Sequence, residues 1–181
     1  MLIALTLLLG ACAGLPQRSA VTVVPKTNIP SGGVVLDAKG PSAGATPEEL
    51  IQGFLRAASA GTSDDYRVAR EYLTPEAAKR WKPAKSVSIF SDSDSIEYSR
   101  TPTGAVVASV PALANLDAKG RYTSAVQGST ISQKFSLIID ADGQWRISEL
   151  DDSVLMVQTL FTSLYVRSPL YFLNTASSSF V

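Results

Sequence analysis

Hydrophobic periodicity changes from helical to alternating at Pro83, and that change limits the fold more than any other feature. Before it, apolar residues recur at helical spacing; after it, they alternate. Thr46-Pro47-Glu48-Glu49 opens the helical part: Thr46 caps, Pro47 suits the first helical position, and Glu49 reaches back to the Thr46 N–H. Leu50, Ile51, Phe54, Leu55 and Ala58 then share a face, and Gly61 terminates it. Ser63 or Asp64 starts a second helix, with Tyr66, Ala69, Tyr72 and Leu73 on one side and Arg67, Arg70 and Glu71 on the other. Thr74-Pro75-Glu76 repeats the cap signal for a short third helix through Trp81, which Pro83 stops.

Beyond Pro83 the apolar positions Val87, Ile89, Ile96, Tyr98, Val106, Val110, Ile131, Phe135, Leu137 and Ile139 follow strand spacing, and Gln144 to Leu150 alternates again. Polar turns separate them at Asp92–Ser95, Pro102–Gly104, Asp117–Gly120 and Asp140–Gly143. The predicted class is therefore α+β, a helical hairpin packed on a twisted, cone-like antiparallel sheet over residues 46–152. Val154, Val157, Gln158, Phe161, Leu164 and Tyr165 return to helical spacing, with Asp151-Asp152 at the favourable N-terminal end. Residues 153–169 are thus expected to form a connecting helix, ended by Pro169 and, at about 14 helical residues, too short to cross a bilayer. The apolar stretch from Leu170 ends at Val181 in mid-pattern, so the expectation is an N-terminal part of a longer protein.

The first residues carry a different message. Leu2 to Leu9 is an apolar run far short of the roughly 20 residues of a membrane span, and it runs into Leu9-Gly10-Ala11-Cys12. That is the pattern of a lipobox: 1–11 is expected to be removed, with Leu9, Gly10 and Ala11 forming the recognition site of the signal peptidase. Cys12, the only cysteine, is then left as the N-terminus and carries the lipid. Two or more acyl chains such as palmitate make a stable anchor where one gives only marginal binding. No Lys or Arg precedes Leu2, where an export signal opens with positive charge, so the start is expected upstream. Residues 12–45 hold Pro16, Pro25, Pro30 and Pro41 among small and polar residues, which reads as a flexible tether with a reach on the order of 30 Å. The apolar residues of Val21–Val24 and Gly33–Leu36 leave a short strand within it as an alternative.

Composition removes several functions. With no histidine and one cysteine, Ser-His-Asp and Cys-His catalysis, the commonest zinc ligand and an internal disulfide are all excluded. Lys plus Arg equals Asp plus Glu at 16 each, and Arg67, Arg70, Lys79, Arg80, Lys82 and Lys85 are interrupted by acids, so no nucleic-acid partner is expected. Asp92 and Asp94 read as a solvated loop before a cation site. Asp140-Ala141-Asp142-Gly143 lacks the rest of a calcium loop and reads as a hairpin turn. Trp81 and Trp145 read as core or rim aromatics. An enzyme would need a carboxylate such as Glu97 or Glu149 inside the sheet beside Tyr98 or Tyr122. Alternation turns Glu97 to solvent, and Glu149 less cleanly, so no catalytic residue, metal or cofactor is expected. The runner-up readings are a pocket for an apolar ligand, or a carboxylate-based enzyme, in the cone; a third is a spacer for downstream domains.

The ordered set of the lipobox, the Pro-rich tether, the run Thr46 to Ala57, Ala69-Arg70-Glu71-Tyr72-Leu73-Thr74, Gly143-Gln144-Trp145-Arg146-Ile147 and Ser168-Pro169-Leu170-Tyr171-Phe172-Leu173 resembles the N-terminal part of the actinobacterial LpqB lipoproteins. The resemblance implies an N-terminal domain similar to the nuclear transport factor and ketosteroid isomerase fold, with 170–181 opening a GerMN domain and a β-propeller-like region beyond. It implies attachment at the outer face of the plasma membrane, as an accessory of a two-component system acting through the extracytoplasmic part of the sensor histidine kinase MtrB. Fold likeness to an isomerase implies no activity.

Overall fold

The computed structural model describes residues 38–165. The lipobox residues Leu9, Gly10, Ala11 and Cys12, the tether up to residue 37 with its two candidate strands, and the expected GerMN-like start at 170–181 lie outside the described residues.

Helix α1, Pro47–Ala60, begins as its sequence dictates. The Glu49 N–H donates to Thr46 Oγ1 at 3.3 Å, the Thr46 N–H donates to Glu49 Oε2 at 2.8 Å, and Pro47 occupies the first turn. The second helix is shorter than predicted. A 3₁₀ turn at Gly61–Ser63 leads to Asp65 and Tyr66, both with positive φ, and only the single turn α2, Arg67–Arg70, follows. Its N-cap position is Tyr66, not Ser63 or Asp64 as predicted, although Asp64 Oδ2 accepts from the Val68 N–H at 3.2 Å. Helix α3, Pro75–Arg80, is capped by Thr74, which accepts from the Ala77 N–H at 3.2 Å.

Eight strands follow: β1 Ser86–Phe90, β2 Glu97–Arg100, β3 Val106–Pro111, β4 Ala114–Asp117, β5 Tyr122–Ser124, β6 Thr130–Ile139, β7 Trp145–Glu149 and β8 Val154–Val157. They form two four-stranded sheets, ordered β5-β4-β1-β8 and β2-β3-β6-β7. The α+β class and the antiparallel pairing are as predicted; the sheets do not close into a cone.

The predicted connecting helix is corrected at its start. Residues 154–157 form β8, which pairs in parallel with β1 from Val87↔Val154 to Phe90↔Val157, and helix α4 spans only Gln158–Leu164. Val154, Leu155 and Met156 are all buried, as suits a strand covered on both faces. Asp152 therefore opens no helix. It accepts from the Lys82 N–H at 2.9 Å and pairs with Lys85 Nζ at 3.4 Å, which holds its carboxyl below the usual range. The outward carbonyl of Leu155 is met by Ser59 Oγ of α1 at 2.8 Å, a hydroxyl that also lies 2.8 Å from the Leu55 carbonyl.

One core joins helices and sheets. Phe54 is its centre, with its ring edge-to-face against Trp81 at 5.2 Å, Phe135 at 5.9 Å and Tyr72 at 6.4 Å. Around it pack Leu50, Ile51, Val106, Ile147 and Leu155, all buried. Among the described residues, every buried core side chain comes from residues 50–161. The Trp81 reading as a core aromatic is met; Trp145 is half-buried beside the core. The core also holds one polar link: buried Gln133 of β6 donates through Nε2 to Ser153 Oγ at 2.5 Å, just before β8.

Candidate functional site

The two carboxylates singled out for an enzyme lie at the surface. Glu97 and Glu149 are both exposed, and Glu149 accepts from Ser136 Oγ at 3.3 Å. Tyr122 packs on Phe161 with ring centroids 6.0 Å apart, and Phe161 stacks on Tyr165 at 4.6 Å. Asp140 is a turn residue as predicted. Its Oδ1 accepts from the N–H groups of Asp142 and Gln144 at 3.0 and 2.9 Å, its Oδ2 pairs with Arg146 at 3.3 Å, and Gly143 supplies the positive φ that closes the hairpin. Among the described residues no group of three or more His, Cys, Asp or Glu side chains is gathered, and no helix is long and apolar enough to cross a membrane.

Asp92 and Asp94 part company. Asp92 Oδ2 accepts from the Thr159 N–H at 3.1 Å, so the loop after β1 caps the start of α4. Asp94 instead lines a cleft with residues far from it along the chain. This cleft, about 470 Å³, opens where α1 crosses between the two sheets. Leu55, Phe90, Ile96, Leu155, Val157 and Leu160 make its apolar walls; Gln52, Ser59, Ser95 and Tyr98 are polar positions of the lining, and Arg56 and Asp94 are its charged ones. Burial pushes the Tyr98 phenol up, opposed by the nearby positive charge of Arg56, so the hydroxyl stays protonated and able to donate. Among the described residues neither Arg56 nor Asp94 has an ion-pair partner within 4.0 Å. A larger groove of about 660 Å³ runs between segment 38–45 and α1, but small residues such as Ala38, Gly40, Ser42 and Ala43 line it and give it no deep apolar wall.

Sequence reasoning missed Arg56 and Asp94 as site residues. Arg56 lies on the side of α1 that the helical pattern assigns to solvent, and the signal for its role is the tertiary neighbour, which a pattern along the chain does not carry.

Comparison with known proteins places the chain in a family. Residues 40–162 match the family model described as lipoprotein LpqB, N-terminal domain. The protein named lipoprotein LpqB in Cutibacterium acnes is 33% identical over 180 residues, covering 91% of this chain and 30% of the relative. Its namesake in Nocardia farcinica is 33% identical over 187 residues, with 99% and 29% covered, and that in Streptomyces avermitilis is 35% identical over 173 residues, with 87% and 27% covered. The chain thus spans under a third of the length of these relatives, whose name is that of a lipoprotein and not of an enzyme. No solved structure matches significantly. The family match reaches Thr162, beyond the predicted domain end at 152, and takes in β8. On the family match and these relatives, the chain belongs to the lipoprotein LpqB family and carries its N-terminal domain.

Proposed function

We propose that this domain is the membrane-proximal interaction module of a lipid-anchored surface lipoprotein. In this reading Cys12 carries the anchor, the segment after it is the tether at the extracytoplasmic face of the plasma membrane, residues 38–45 dock that tether on the domain through Lys39 and Gly44, and 46–162 is the folded part that meets a partner. The observation that supports it is the match of residues 40–162 to the N-terminal domain of a lipoprotein family, together with the exposed position of Glu97 and Glu149, the acids an enzyme reading would use. Ile138 and Ile139, 47% and 57% exposed near the tip of the β6–β7 hairpin, add apolar area of the kind found at the centre of interfaces. By the resemblance described above, the partner is the extracytoplasmic part of a sensor histidine kinase of a two-component system.

The test is a titration of the chain from Ala13 to Val181 against that purified kinase domain, at two salt concentrations. Saturable binding in the micromolar range or tighter supports the module. Binding by the full-length lipoprotein alone leaves this domain a spacer for the downstream domains. Replacing Cys12 by Ser is expected to move the full-length protein from the membrane to the soluble fraction. The open apolar cleft favours a second reading, that the domain also holds an apolar ligand; its volume lies within the usual range of about 300–1,000 Å³ for ligand sites.

A further inference from the structure

We infer that the cleft between α1, β1, β2 and β8 binds a single-chain zwitterionic amphiphile, its alkyl chain along the apolar walls and its head group between Arg56 and Asp94. The inference rests on the cleft being a ligand site and goes beyond that reading by assigning the head group.

The argument is one of charge and polarity. Leu55, Phe90, Leu155, Val157 and Leu160 come from α1, β1, β8 and α4 and supply apolar lining that suits a chain of methylenes, while the Ser59 hydroxyl among them is already placed on the Leu55 and Leu155 carbonyls. The polar groups of the cleft are of both signs. Arg56 contributes a guanidinium, always charged and shaped to hold two oxygens of a phosphate at once. Tyr98 adds a protonated hydroxyl that can donate to the same anion. Asp94 contributes a carboxylate, and the rings of Phe90 and Tyr98 belong to the same lining, a pairing of negative charge with aromatic faces that receives a quaternary ammonium.

The two charges do not satisfy each other, since no Arg56–Asp94 pair forms within 4.0 Å. A purely anionic ligand would meet Arg56 but sit against the Asp94 charge, and a cationic one would do the reverse. A neutral one would cover both without pairing either. A phosphate carrying an ammonium arm pairs both, and it is the head group of the zwitterionic lipids that a membrane-anchored protein meets at the bilayer surface.

The probe is decylphosphocholine, kept below its micellar concentration and titrated calorimetrically into the chain from Ala13 to Val181. Decyl sulfate and decyl maltoside serve as the anionic and neutral comparisons. The expected result is saturable one-to-one binding of decylphosphocholine at least about fivefold tighter than of either comparison, the scale of one partly exposed charge pair. Arg56→Gln is expected to weaken decylphosphocholine and decyl sulfate alike by about fivefold. Asp94→Asn is expected to weaken decylphosphocholine and to tighten decyl sulfate, because the repelling carboxylate is gone. Arg56 is exposed and Asp94 lies on a loop, so both variants should unfold at the parent temperature, which a thermal scan verifies. If none of the three amphiphiles binds, the cleft is not a ligand site and the inference falls with it. If all three bind equally, or if neither variant changes the order of affinities, the cleft remains an apolar site and the head-group assignment is overturned.

Discussion

Replacing Gly53 by Ala tests the packing of α1 on Tyr72 in a way that helix propensity alone gets wrong in sign. Gly53 lies near the middle of α1, where Ala is about 1 kcal/mol more favourable than Gly. A Cβ built there, however, falls 2.7 Å from Tyr72 Oη, 2.8 Å from Cε1 and 3.0 Å from Cζ. Tyr72 cannot swing aside cheaply. It is buried, its ring meets Phe54 edge-to-face at 6.4 Å, and its hydroxyl donates to the Lys39 carbonyl at 2.8 Å, tying segment 38–45 to the domain. Overpacking of this kind costs about 1–3 kcal/mol, so Gly53→Ala should be destabilising by about 1 kcal/mol net of the propensity gain. In a Tyr72→Ala background the obstacle is gone, and the same substitution should stabilise by about 1 kcal/mol. The coupling between the sites is then about 2 kcal/mol, within the range for residues in contact. Urea unfolding of the four proteins, followed by far-ultraviolet circular dichroism with the slope m monitored, measures it. Stabilisation by Gly53→Ala in the parent, or equal effects in both backgrounds, would refute the close approach of helix and ring.

Other substitutions probe the rest of the frame. Phe54→Ala removes the ring shared by Trp81, Phe135 and Tyr72 and should cost about 3–5 kcal/mol in the same assay, against about 1 kcal/mol for Thr46→Ala at the helix cap. Asp92→Ala should leave global stability nearly unchanged while hydrogen exchange quickens at Thr159 and the first turn of α4, where the Asp92 carboxylate now accepts the N–H. The Arg100 guanidinium bonds both oxygens of Glu48, at 2.8 and 3.0 Å, and holds that carboxyl below its ordinary value of 4.5. A depressed folded pKa gives stability that is present above the unfolded value and lost as the pH falls through the folded one. Acidification from about pH 5 to 3 should therefore destabilise the parent more than Arg100→Gln, by a small margin since the pair is solvent-exposed.

What the chain discloses about itself depends on how far apart the interacting residues are. The cap at Thr46, the turn at Asp140 and the alternation of β3 are decided by neighbours within a few residues, and each is present where the sequence predicts it; in β6 the alternation holds up to Phe135 and is lost after the register shift at Ser136/Leu137, which leaves Ile139 exposed. Strand β8 is decided elsewhere. Val154, Leu155, Met156 and Val157 form a short continuous apolar run, which periodicity cannot assign to a buried strand or a buried helix. The deciding partner is β1, more than sixty positions earlier. The same distance hides the cleft. Arg56 is read from its helix as a solvent-facing residue and Asp94 from its loop as a solvated one, and neither reading is wrong locally. Only the seating of β8 beside β1, with Ser59 meeting its outward carbonyl, brings the Leu155 wall under Arg56 and opposite the loop that carries Asp94. A substitution that unseats β8 should accordingly abolish amphiphile binding even with Arg56 and Asp94 intact, because the apolar wall belongs to the strand and the charges alone form no site.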